Sequence, residues 1–177
     1  MSGNCNFPGQ IDNRNFLSPI GFKFSLSKEP TVAFFANAAQ IPNLNLKVET
    51  QSTYLKNIPV PGDVMEFGDF TLKFIVDEDM ENYMAVHNWL YGLGFPETTK
   101  QYKDLITDEN GVEDIKYERS DGTLFILNSN YQTSAKVRFT DMFPFSLSSL
   151  EFDATNSDLT YFTATASFKY TIYDIEV

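Results

Sequence analysis

Hydrophobic and polar positions alternate along much of the chain, most regularly near its end. From Tyr161 to Ile175 the apolar residues Phe162, Ala164, Ala166, Phe168, Tyr170 and Ile172 interleave with Tyr161, Thr163, Thr165, Ser167, Lys169, Thr171 and Tyr173. Period two marks a strand with one buried face. Read as a single strand it spans roughly 45–50 Å, where ordinary strands run to about 5–6 residues. Nearer the start, Phe16, Ile20, Phe22, Phe24 and Leu26 alternate with Ser18, Gly21, Lys23, Ser25 and Ser27. They predict a strand from about Pro19 to Leu26, with the apolar stretch Thr31–Ala38 as its hairpin partner and Pro42 as its end.

The middle of the chain is more varied. Leu44, Leu46 and Val48 alternate, then Thr, Gln and Ser take over, and Pro59 and Pro61 close the stretch. A long hairpin or loop with little core contact is expected. The segment Lys47–Asp63 offers little apolar surface to its own subunit, and ordering it costs roughly 1–2 kcal/mol per residue. It is therefore expected to be mobile in the free chain, with the prolines preventing a regular ladder near its end. Phe70, Leu72, Phe74 and Val76 predict a strand. Met80, Tyr83, Met84, His87, Leu90 and Tyr91 then fall at helical spacing, widened by Val86, Trp89 and Leu93. They predict a helix over 78–92, with Asp77, Glu78, Asp79 and Glu81 at its positive end and Gly92, Gly94 and Pro96 stopping it. Residues 95–114 are polar and acidic and read as a surface insertion. Asp121–Gly122 suits a type I′ hairpin turn, Ala135–Thr140 a strand, and residues 1–15 an extended arm.

Composition narrows the function classes. The length of 177 residues predicts one domain with a self-sufficient core. Phe (17) and Tyr (9) against one Trp favour sheet. A net charge of −11 has the wrong sign for non-specific binding to nucleic-acid phosphates. One cysteine, Cys5, and one histidine, His87, allow neither a disulfide framework nor a Cys/His zinc site. His87 lies on the helix stripe and reads as a packing residue. No apolar run reaches the ~18 residues of a membrane span, and the N-terminus lacks the pattern of a signal peptide. The stretch Thr107–Asp114 has carboxylates around a glycine, but Tyr117 stands where a calcium loop needs a glutamate. No catalytic constellation and no cofactor site is expected. A ligand-binding β-sandwich would need exposed aromatic platforms, and the lone Trp89 is on the helix.

The C-terminal third, "AKVRFTDMFPFSLSSLEFDATNSDLTYFTATASFKYTIYDI", resembles the tube proteins of contractile phage tails. Its successive parts are Val137–Thr140, the aromatic-proline pair Phe143–Pro144, Leu150–Asp153 before an acidic turn, and Tyr161–Ile172. "IPVPGD" at Ile58–Asp63, the strand Phe70–Val76 and a helix carrying Trp89 extend the resemblance back to about Phe16. The resemblance implies a mainly β (α+β) fold: two packed antiparallel sheets in a sandwich or barrel, with one flanking helix. It implies hexameric rings that stack into a hollow tube, with sheath and baseplate proteins as partners. DNA passes through the lumen without specific binding, and no membrane is involved. The setting would be the virion, after assembly in the host cytoplasm. The major tube subunit is the first expectation. A tube initiator or terminator ring and a type VI secretion tube ring share the architecture. In such a tube Tyr54, Leu55, Ile58 and Val60 would contact the next ring. Thr163, Thr165, Ser167, Lys169 and Thr171 would lie on the strand that joins subunits into a barrel. The negative charge suggests an electronegative bore.

Overall fold

The structure, a computed structural model, describes residues 17, 21–28, 35–107, 118–152 and 161–177. The N-terminal arm 1–15 with Cys5, most of the acidic stretch 107–114 and the turn at 154–158 lie outside the described residues. The elements run β1 (Phe22–Leu26), β2 (Phe35–Gln40), β3 (Leu44–Ser52), β4 (Asn57–Phe67), β5 (Phe70–Ile75), α1 (Glu81–Gly94), α2 (Thr99–Ile106), β6 (Ser120–Leu127), β7 (Thr133–Leu147), β8 (Thr163–Lys169) and β9 (Ile172–Glu176).

Seven strands join in antiparallel register in the order β1-β6-β7-β8-β5-β2, with β9 also on β7. The long strand β7 bends this sheet over on itself. Its first part, Lys136–Thr140, lies between β6 and β9, and its second part, Phe143–Leu147, pairs with β8. Between the two, Asp141 adopts φ 55°, a left-handed conformation that turns the strand. Two layers result, β1-β6-β7-β9 and β7-β8-β5-β2. The core between them is aromatic. Phe24 and Phe139 from the first layer meet Phe70 from the second, with ring centroids 5.2 and 4.6 Å from it. Phe168 completes the cluster at 6.1 Å from Phe70. All four are essentially buried.

Period-two alternation places the core of β1, β5 and β8 as expected. Phe24 and Leu26, then Phe70, Leu72 and Phe74, then Ala164, Ala166 and Phe168 point inward. Four expectations are corrected. The stretch Tyr161–Ile175 is two strands that break at Tyr170–Thr171: β8 belongs to the second layer and β9 to the first. The break shifts the alternation by one, so Tyr173 turns inward and Ile172 is 44% exposed. β1 and β2 form no hairpin, because β1 pairs β6 and β2 pairs β5. Asp121–Gly122 is inside β6 and is not a turn. A Cβ on Gly122 would stand 2.9 Å from the Met142 sulfur and 3.2 Å from the Phe24 ring, so close packing requires glycine there. The β6–β7 turn is at Asn128–Gln132, where the Asn128 side-chain oxygen accepts from the amides of Asn130 and Gln132.

The helices also depart from the pattern. No side chain caps α1, whose N-cap residue is Met80 at φ 58°. Buried Asn82 ties its first turn to the sheet instead, donating to the Ile75 carbonyl (2.9 Å) and accepting from the Asp77 amide (3.3 Å). The buried stripe is Asn82, Val86, Trp89 and Gly92, rotated from the predicted one. Met84 and Tyr91 are therefore exposed, and His87 stacks on Tyr91 at 5.7 Å. The region 95–114 contains α2, which a surface insertion did not foresee. Its start is tied by the Gln101 side chain, which accepts from the Thr98 amide (3.4 Å). Leu105 packs on Gly92, and Ile106 is buried.

Candidate assembly surface

β3 and β4 form a separate two-stranded ribbon that projects from the body. The ladder runs from Leu44–Phe67 to Ser52–Asn57, and Pro59 and Pro61 sit within it opposite Thr50 and Val48. The prolines do not interrupt it as expected. They fall on alternate positions of one strand, whose missing donors can point away from the partner. Gly62 lies in the irregular stretch opposite Lys47; a Cβ there would meet the Lys47 carbonyl oxygen at 2.5 Å. The tip is closed by Thr53, whose amide donates to the Lys56 carbonyl (3.3 Å) and whose hydroxyl accepts from the Lys56 amide (3.2 Å). Lys47 and Glu66 form an exposed ion pair at 3.0 Å, of small energetic consequence.

What sets the ribbon apart is its apolar surface. Cross-strand partners share a face, so Leu44, Leu46 and Val48 lie with Phe67, Met65 and Pro61. Leu44, Leu46, Val48 and Met65 are each about half exposed or more. Ile58 and Val60, opposite Gln51 and Glu49, lie on the other face; Ile58 is exposed and Val60 half-buried. At the tip Tyr54 is 101% exposed and Leu55 92%. A two-stranded ribbon is marginal in water by itself, and a contiguous apolar patch of this kind marks an interaction surface. The four residues singled out from sequence are thus distributed over the tip and one face. The opposite face, Leu44, Leu46, Val48 and Met65, was missed. The alternation in β3 was visible, but its pairing with Met65 depends on a register the sequence does not display.

The sequence-predicted barrel strand has a different placement. β8 is flanked by β5 and β7 within its own subunit. The Thr165 amide donates to the Ser148 hydroxyl (2.9 Å), and the Thr165 carbonyl accepts from the Ser148 amide. The backbone of β8 therefore has no free edge to offer a neighbour, and Thr171 lies in the break after it. Its outward side chains, Thr163, Thr165, Ser167 and Lys169, share the open face of the second layer with Thr71 and Lys73. No acid stands on the strand segments of that layer, and Lys169 pairs with Asp69 just outside it. The open face of the first layer carries Lys23, Lys136 and Arg138 beside Asp174 and Glu176, with Arg138 and Glu176 paired at 3.2 Å. Many of the acids instead occupy turns, helix ends and the ribbon. The expectation of an electronegative bore draws no support from either face. Within the body, the strands without a described neighbour on one side are β1, β2 and β9; in the ribbon β3 and β4 have only each other.

Among the described residues no group of three His, Cys, Asp or Glu side chains gathers to hold a metal, and no helix is long and apolar enough to cross a membrane. Among the described residues, a two-layer β-body with sheet edges that no described strand covers, together with an apolar ribbon, presents surfaces suited to association. Residues 4–176 match the family model of phage tail tube proteins, and the chain belongs to that family. The tail tube terminator protein of Enterobacteria phage T4 is 27% identical over 152 residues, 82% of this chain and 80% of that protein. Two solved structures share the fold. The sheath/tube terminator of the PVC extracellular contractile injection system, in its extended state, has a TM-score of 0.63 at 15% identity, covering 93% of this chain and all of that one. The tube-terminating cap of the anti-feeding prophage has a TM-score of 0.60 at 18% identity, covering 94% and 95%.

Proposed function

We propose that this protein is the terminator of a contractile phage tail tube, a ring that docks on the end of the tube and ends its growth. The observation that carries this reading over the major tube subunit is the sequence likeness to the T4 tail tube terminator along most of both chains. The ribbon gives the reading a physical means. Its exposed tip and apolar faces are suited to burial against the adjoining ring, and they gain little by remaining in water. The edges of β1, β2 and β9, which no described strand covers, suit lateral pairing between copies, which removes sheet edges from solvent. Hexameric rings, contact with the sheath and passage of DNA through the bore belong to this proposal. A bore lined by the second layer's open face would present hydroxyls, Lys73 and the Lys169–Asp69 pair.

Negative-stain imaging of the purified protein tests the reading. A terminator forms single rings that do not polymerise and that bind one end of added tail tubes. Long tubes formed by this protein alone would identify it as the major subunit, and persistent monomers that ignore tubes would remove the proposal.

A further inference from the structure

The ribbon leaves the body at one point, and that point is built from aromatic residues of the opposite end of the chain. Phe67, the last residue of β4, lies edge-on to Tyr170 (6.2 Å) and to Tyr173 (5.8 Å). The Tyr170 hydroxyl donates to the Gly68 carbonyl (2.8 Å), and the Tyr173 hydroxyl donates to the Pro42 carbonyl (3.2 Å). One phenol thus holds the exit of β4 and the other the entry to β3. Both rings also pack on buried Phe139, at 5.1 and 5.8 Å, which fixes them to the core. Between the two strand ends the Gly68 amide donates to the Asn43 carbonyl (3.0 Å), and the Asn43 side-chain oxygen lies against the Gly68 Cα. The Asn43 side chain thus occupies the space beside Gly68 where the two strand ends meet.

We infer that Phe67, Tyr170 and Tyr173 are positioning residues that aim the ribbon and tie it to the edge strand β9. Tyr173 belongs to β9, which is held to the body by β7 alone among the described strands. Tyr170 occupies the break where the chain passes from one layer to the other. The ribbon base and β9 therefore share one clamp. A copy pairing with the free edge of β9 would steady the base of the ribbon, and so favour its docking on the adjoining ring. This consequence rests on the terminator reading; the clamp does not. The ribbon is then a preset arm at its base, with order falling towards Tyr54 and Leu55 as the clamp becomes distant.

Hydrogen exchange on the free chain tests the clamp, with Tyr170→Phe, Tyr173→Phe and the double variant compared with the parent. Each change keeps the ring and removes one hydrogen bond, a loss on the order of fivefold in protection. The clamp predicts faster exchange in β3 and β4, strongest near Leu44 and Phe67 and additive in the double variant. Tyr173→Phe also loosens β9, while β5 and β6 keep their protection. Unchanged exchange in the ribbon, or loosening spread evenly through the core, overturns the inference. Loosening of the ribbon with tube docking intact supports the clamp and counts against the ribbon's part in the proposed function.

Discussion

Replacing both tip residues, Tyr54→Ser with Leu55→Ser, separates association from folding. Both side chains are almost wholly exposed in the subunit, so their loss changes unfolding stability by no more than about 0.5 kcal/mol. If each is fully buried on the adjoining ring, the pair contributes about 3–6 kcal/mol per subunit, taking about 1.5–3 kcal/mol for each side chain. A tenfold change in affinity corresponds to about 1.4 kcal/mol, so the variant loses roughly two to four decades of affinity per contact. Half burial reduces this to about one to two decades. Co-sedimentation with purified tail tubes across a concentration series measures the shift, and urea unfolding measures stability. An unchanged binding midpoint would refute docking through the tip. A marked fall in stability would show that the tip is part of the subunit's own fold.

Two further outcomes concern the body. Phe70→Ala empties a fully buried site among Phe24, Phe139 and Phe168 and should cost about 3–5 kcal/mol in urea unfolding; a loss under about 1 kcal/mol contradicts the aromatic core. Burial first, and then the neighbouring Tyr173 and Asp69, push the Tyr170 hydroxyl from 10.0 up to about 12. Because its folded value lies above the unfolded one, this contribution to stability is complete below about 10 and is lost as pH rises towards about 12. Loss of that proton also removes the donor to the Gly68 carbonyl, so the ribbon base should open in the same window. Spectroscopic titration should find a tyrosine titrating at about 12 that is absent from Tyr170→Phe, with Tyr102, also raised by its bond to Glu118, unaffected; persistence of the component at about 12 would contradict the assignment.

Much of the body was legible because burial of a single face writes period two into the sequence, as in Phe70, Leu72 and Phe74. The same rule misled at Tyr161–Ile175. Alternation continues into Tyr170 and Ile172, and the one-residue shift that turns Tyr173 inward leaves no mark in a run where both parities carry aromatics. The bend in β7 depends on Asp141 adopting a left-handed conformation, which its residue type permits but does not announce. Asp121–Gly122 carried a turn signal, yet its glycine serves the approach of Met142. On α1 the polar Asn82 begins the buried stripe and the small Gly92 ends it, so the apolar periodicity pointed to a rotated face. For the candidate site, Tyr54 and Leu55 stood out as apolar residues in polar surroundings. The clamp did not, because Phe67 lies about one hundred positions from Tyr170 and only tertiary structure brings them together.

The central claim is the place of this protein at the end of a tube, and labelling it in whole tails tests that most directly. An antibody or gold label on the protein in intact virions, viewed by electron microscopy, should mark a single ring at one end of the tail tube. Label distributed along the tube length, or absent from the tail, would contradict the account.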